Sequence, residues 1–112
     1  MRVFAYRFAQ RAAADDSPAA WGVAHGSEVP FVFDQGSWVG DAGFTHAEEQ
    51  LATSMGAAWS NFAARADPNA AHSAVWPDFA ASEDEWVLEA GASRAQPYSD
   101  AAACDFWDQQ PE

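Results

Sequence analysis

Gly22-Val23-Ala24-His25-Gly26-Ser27-Glu28-Val29-Pro30-Phe31-Val32-Phe33 sets one histidine between small residues and follows it with an apolar run. Gly22 and Gly26 flank His25, which opens the backbone to angles other residues avoid and to close packing. A histidine held in such a turn is positioned, not merely exposed, and its imidazole exchanges a proton near neutral pH. The plainer reading is a histidine in a loop that leads into a buried segment, because one His without partners has no chemistry of its own. Glu28 to Phe33 fits a short helix or a buried strand, and so short a run does not decide between them. Glu28 reads equally as an acceptor beneath the histidine loop or as an exposed acid.

Upstream, Val3 to Phe8 alternates, with Phe4, Tyr6 and Phe8 on one side, and reads as a strand. It starts almost at the first residue and its next strand candidate lies far downstream, which suggests a piece of a larger domain. Gln10 to Pro18 is polar and closes on a turn signal, Asp15-Asp16-Ser17-Pro18. Downstream, Asp34 to Gly43 carries three glycines and reads as a surface loop. Thr45 then opens the clearest helix. Thr45 and Glu48 fit a capping box, and Leu51, Met55, Trp59 and Phe62 share one face. Gly56 inside that helix points to a close packing contact, and Asp67-Pro68-Asn69 ends it. Trp76-Pro77-Asp78-Phe79 is an irregular aromatic patch. Trp86 to Glu89 is a short strand, and Ser99 or Asp100 caps a last helix with Ala103, Phe106 and Trp107 on one side. The expected fold class is therefore α/β, with two strands and two or three helices: the right elements, but too few for a complete sheet.

The 112 residues suit a single unit without an internal boundary, and 49% of them are apolar, including six Trp and eight Phe. All basic side chains are Arg, and 17 acids against five of them leave a net charge of -12. Such a chain repels nucleic-acid backbones and anionic membranes. No apolar stretch is long enough to span a bilayer, and the first residues do not read as a signal peptide. Cys104 is alone, so it makes no intrachain disulfide and leaves the compartment open. With no positive neighbour to stabilise a thiolate, it reads as a buried structural cysteine.

Tests for catalytic sets give little. There is no Gly-x-Ser-x-Gly elbow, because Gly36-Ser37-Trp38-Val39-Gly40 puts the serine one place early. His25 and Glu28 stand at i and i+3, but two ligands make no metal site, and neither a metal nor another cofactor is expected. His46 and His72 read as solvent-facing.

Four stretches in order change the reading. Gly22 to Phe33 resembles the histidine segment of the type-B carboxylesterases, the cholinesterase-like branch of the α/β-hydrolases. Ala58-Trp59-Ser60-Asn61-Phe62-Ala63 with Asp67-Pro68-Asn69 resembles the family's Trp-x-Asn-Phe-Ala…Gly-x-Pro-Asn pattern. Trp76-Pro77-Asp78-Phe79 resembles its Trp-Pro-x-aromatic patch, and Cys104-Asp105-Phe106-Trp107 its C-terminal Cys-x-Phe-Trp. Together they cover nearly the whole chain.

The resemblance implies that residues 1–112 are the C-terminal part of an α/β-hydrolase with an incomplete sheet. It implies that His25 is the triad base, which takes the serine proton and returns it to the leaving alcohol. It matches Glu28 to a glutamate beside the histidine loop that is not the triad acid. Trp21 and Ala24 stand within one short loop of His25 and are therefore expected near the acyl or alcohol pocket of the substrate. The family's serine, acid and oxyanion-hole glycines lie upstream of this segment. The complete enzyme would hydrolyse small carboxylic esters with the remainder of the domain packed on this part, and the chain by itself would be inactive. A standalone, non-catalytic binding or assembly protein derived from the same fold is the alternative. An in-frame elbow motif in the genomic sequence upstream distinguishes the two.

Overall fold

The structure is a computed structural model and describes residues 1–70 and 76–110; His72 lies outside them. Three strands form one sheet in the order β1 (Tyr6–Phe8), β2 (Asp84–Leu88), β3 (Arg94–Pro97). β1 runs parallel to β2, with Tyr6 opposite Trp86, and β3 returns antiparallel with Ala95 opposite Trp86. The early strand thus finds its partner about eighty residues later, and its outer edge is free of any further strand of the described chain. The alternation over Val3–Phe8 carries ladder pairing only from Tyr6 onward. Nearer the start, the amide of Val3 donates to the Asp78 carboxylate and its carbonyl accepts from Phe79.

Four α-helices are present among the described residues: α1 (Val29–Val32), α2 (His46–Arg65), α3 (Phe79–Ser82) and α4 (Ala101–Asp108). The expected tally was therefore one strand and at least one helix short. β3 escapes a periodicity search because Arg-Ala-Gln-Pro has no apolar alternation; it is a half-exposed edge strand, where proline is tolerated. α1 and α3 have only four residues each, too few for a helical repeat to register. Glu28 to Phe33 resolves as a helix, since Pro30 suits the first turn. The loop after it contains a 3-10 turn at Gly36–Trp38.

The capping box at Thr45 forms as read, with the Thr45 hydroxyl accepting from the Glu48 amide and the Glu48 carboxylate accepting from the Thr45 amide. α2 then buries Leu51, Ala52 and Met55 against α1 and the sheet. Phe31 of α1 is fully buried, in ring contact with Phe8 (5.1 Å between centroids) and Phe44 (4.4 Å). Gly56 explains itself: a Cβ there would stand 3.7 Å from the Val32 carbonyl, so α1 lies close on α2. Burial of side chains such as Phe31 and Met55 contributes roughly 1.5–3 kcal/mol each. At the other end, Tyr6 meets Trp59 and Trp76 edge to face, the two indoles are tilted at 55° to each other, and the Trp76 indole donates to the Ala5 carbonyl at 2.9 Å. No helix among the described residues is long and apolar enough to cross a membrane.

The reading of Cys104 as buried is overturned. Cys104 is exposed, as is every residue of α4, because α4 meets no apolar surface of the described chain.

Candidate functional site

His25 sits on a tight turn between a 3-10 turn (Ala19–Trp21) and α1. The Gly22 amide donates to the Ala19 carbonyl, Ser27 to Ala24 and Val29 to Gly26, each at 3.1 Å. Gly22 and Gly26 have φ of +60° and +84°, which only glycine takes at little cost. Nothing lies within 4 Å of where their Cβ atoms would stand, so the backbone angle, and not crowding, requires glycine there. The His25 ring is exposed, and no hydrogen bond or ion pair among the described residues engages it. Both ring nitrogens are therefore open to an outside partner.

Trp21 and Ala24 line one open depression of about 470 Å³, together with Ser27, Pro30 and Trp38. Trp21 is 66% exposed and Trp38 61%. His25 and Glu28 do not line it. Glu28 is half-buried at the start of α1, and its carbonyl accepts from Phe31 and Val32 at 3.0 Å. Its carboxylate makes no hydrogen bond to His25. Its charge is felt at Tyr6 on β1: burial pushes the Tyr6 phenol up, and the charge of Glu28 pushes it further. His46, read as solvent-facing, is exposed in the first turn of α2. Ser37 lies exposed on the 3-10 turn of its loop.

Sequence reasoning passed over the side chains that hold this loop at its base. Glu48 is 1% exposed, and its two oxygens accept from Thr45, Gln10 and the Ala13 amide. Burial pushes its pKa up. The bonds from the Thr45 and Ala13 amides, the Thr45 hydroxyl and Gln10 more than offset this, so the carboxyl stays below its ordinary range. The Thr-x-x-Glu spacing announced the cap, but nothing local announced a second set of donors from residues 10 and 13. A second buried acid, Glu85 on β2, accepts from Gln96 and Ser99 and pairs with Arg7 at 3.1 Å. Burial raises its pKa too, and these three partners bring it below the usual value.

A parallel strand pair, a helix packed beside it and a histidine presented on the connecting turn are parts of an α/β design. Residues 1–107 match the model of the carboxylesterase family, and the chain belongs to that family. It is 36% identical over 110 residues to an acetylcholinesterase of Bungarus fasciatus, covering 95% of this chain and 18% of that protein. It is 35% identical over 109 residues to a cholinesterase of Mus musculus, covering 93% of this chain and 18% of that protein. The chain thus spans about a fifth of the length of these curated relatives.

Proposed function

We propose that residues 1–112 are the C-terminal, histidine-bearing part of an α/β-hydrolase domain in a serine carboxylesterase, and that His25 is its general base. In this fold the nucleophile and acid precede the histidine in chain order. His25 takes the proton of the serine as that oxygen attacks the ester carbonyl, then gives it to the departing alcohol. The acyl-serine is released when His25 takes a proton from water, the water oxygen bonds to the acyl carbon, the bond from that carbon to the serine oxygen breaks, and His25 returns its proton to the serine oxygen as the acid departs. Glu28 supports the loop from below without being the triad acid, and Trp21 with Ala24 forms one wall of the pocket for a small carboxylic ester. The reaction needs no cofactor. The rest of the domain packs on the free edge of β1 and on the exposed aromatic faces.

The observation that carries this reading is the state of His25. Its ring has no internal partner, yet the turn that bears it is hydrogen-bonded on both sides. Family membership supports the same assignment. The chain has no Gly-x-Ser-x-Gly elbow, and a base without a nucleophile has nothing to activate.

The purified chain is expected to hydrolyse no p-nitrophenyl ester above buffer; turnover that disappears in His25→Ala would overturn this. In the complete enzyme, His25→Ala is expected to lower kcat by several powers of ten, since triad members act as a unit. A loss below about tenfold, or ~1.4 kcal/mol, removes His25 from the role of base. Substitution of Trp21 that leaves the ranking of ester substrates unchanged removes it from the pocket.

A further inference from the structure

Residues 14–28, the histidine loop, are attached to the fold at two ends. The exit is α1, buried through Phe31 and lying close on α2 at Gly56. The entry is residues 10–13, and these converge on Glu48. One of its oxygens, Oε2, serves the ordinary cap, accepting from the Thr45 amide at 2.8 Å and the Thr45 hydroxyl at 3.0 Å. A capping box needs no more than that. The other, Oε1, accepts from the Ala13 amide at 2.7 Å and from the Gln10 amide side chain at 3.1 Å, groups 35 and 38 residues away in the chain.

Bonds run on from this clamp toward His25. The Gln10 side chain also donates to the Arg11 carbonyl at 2.7 Å and accepts from the Ala90 amide at 3.1 Å, which ties the clamp to the end of β2. The Arg11 guanidinium holds the Asp15 carboxylate at 3.2 Å, the Asp15 carbonyl at 3.3 Å and the Ser17 carbonyl. Asp15 in turn accepts from the Ser17 amide at 2.9 Å. Pro18 and the 3-10 turn ending at Trp21 follow at once, and four residues later stands His25. Gly40 closes the other approach: a Cβ there would stand 2.6 Å from the Ala14 carbonyl. The entry to the loop is thus fixed by one buried carboxylate that is fully satisfied only when both the cap and residues 10–13 are in place.

We propose that Glu48 is the positioning residue of His25: by clamping Ala13 and Gln10 to the start of α2, it fixes where the histidine loop leaves the core. The significance for catalysis rests on His25 being the base; the mechanical role does not. Glu48 touches no reacting group and acts through residues 10–17.

Hydrogen–deuterium exchange of the chain, read residue by residue, tests this. Glu48→Gln keeps the size of the side chain, but its NH2 group faces donors at one of the two sites whichever way it turns. The amides of Ala13, Asp15, Trp21, Gly22 and Ser27 are expected to exchange at least about tenfold faster, while those from Ala52 to Phe62 are unchanged. Thr45→Val removes the hydroxyl but leaves the Oε1 clamp, and is expected to speed only the first turn of α2. Gln10→Leu removes one donor and keeps the charge; it should loosen the same loop amides by a smaller factor, which covers the case in which Glu48→Gln does not fold. A loop unaffected by Gln10→Leu, or identical profiles for Glu48→Gln and Thr45→Val, overturns the proposal. In the complete esterase, Glu48→Gln should lower kcat about tenfold with KM unchanged. Exchange requires no turnover, so a tolerated His25→Ala would end the base reading and leave the clamp standing. Unaltered exchange would end the clamp whatever His25 does.

Discussion

The first half of α2 buries Glu48, Leu51, Ala52 and Met55, whereas α4 buries none of its eight residues. Both helices are amphipathic, and both carry large apolar side chains on one face. α2 begins on a closed capping box and lies against α1 and the sheet. α4 has no side-chain bond at its N-cap; Asp100 there pairs with Arg7 at 2.9 Å, and Phe106 and Trp107 touch each other at 5.2 Å while remaining 56% and 69% exposed. An apolar stripe therefore announces a face that is to be buried, but not that its partner lies in the same 112 residues. In the proposed reading, the partner of α4 is the rest of the hydrolase domain.

The largest break in this comparison should come from Phe31. It is fully buried between Phe8 and Phe44 under the α1–α2 contact. Phe31→Ala removes a whole ring from a packed site, and is expected to cost about 3–5 kcal/mol. Urea unfolding followed by Trp fluorescence measures it. A cost under about 1 kcal/mol would show that the α1–α2 contact does not hold this region together.

Those two helices also mark what a reader of the sequence can reach. The Thr45 cap, the α2 stripe as far as Met55 and the central strand around Trp86 were legible because each is a local pattern, a spacing of three or four or an alternation. Gly56 was legible as a close contact for the same reason. β3 was not, because an edge strand of Arg, Ala, Gln and Pro needs only backbone pairing with β2. Cys104 was misread as buried because its neighbours spoke only about thiolate stability, and its exposure depends on what α4 packs against. At the candidate site, His25 on a glycine-flanked turn was visible in the chain. The clamp of Glu48 on Ala13 and Gln10 was not, since it joins segments whose meeting depends on the finished fold.

The buried acids sharpen the comparison by pH. Glu48 and Glu85 both have folded-state pKa values below their ordinary range, each pulled down by its hydrogen bonds against the opposing effect of burial. In the window below the unfolded glutamate value of about 4.3, the unfolded chain then binds more protons than the folded one. Their contribution is fully present above that pH and is lost as pH falls through the folded values. Mutation isolates the part that belongs to Glu48. The urea midpoint of the parent chain should fall more steeply with acid than that of Glu48→Gln, and parallel curves would show that Glu48 does not titrate out of range.

The smallest effect is expected in α4, and its smallness is the point. Phe106→Ser and Trp107→Ser alter side chains that touch each other and solvent. Neither removes a buried contact with the rest of the chain, so each should shift unfolding by no more than about 0.5 kcal/mol. Their effect should appear in association instead. The adjoining rings of Phe106 and Trp107 on α4, and Trp21, Phe33 and Trp38 elsewhere, are large apolar side chains left open to water. The chain expressed alone is therefore expected to self-associate despite its charge, and Trp107→Ser should move its size-exclusion elution toward the monomer. In the complete enzyme of the proposed reading the same substitution should cost clearly more, because there the ring would lose a partner. A loss of about 2 kcal/mol or more in the isolated chain would mean that α4 docks on a core of its own. That result would erase the contrast with α2 and favour an autonomous small domain.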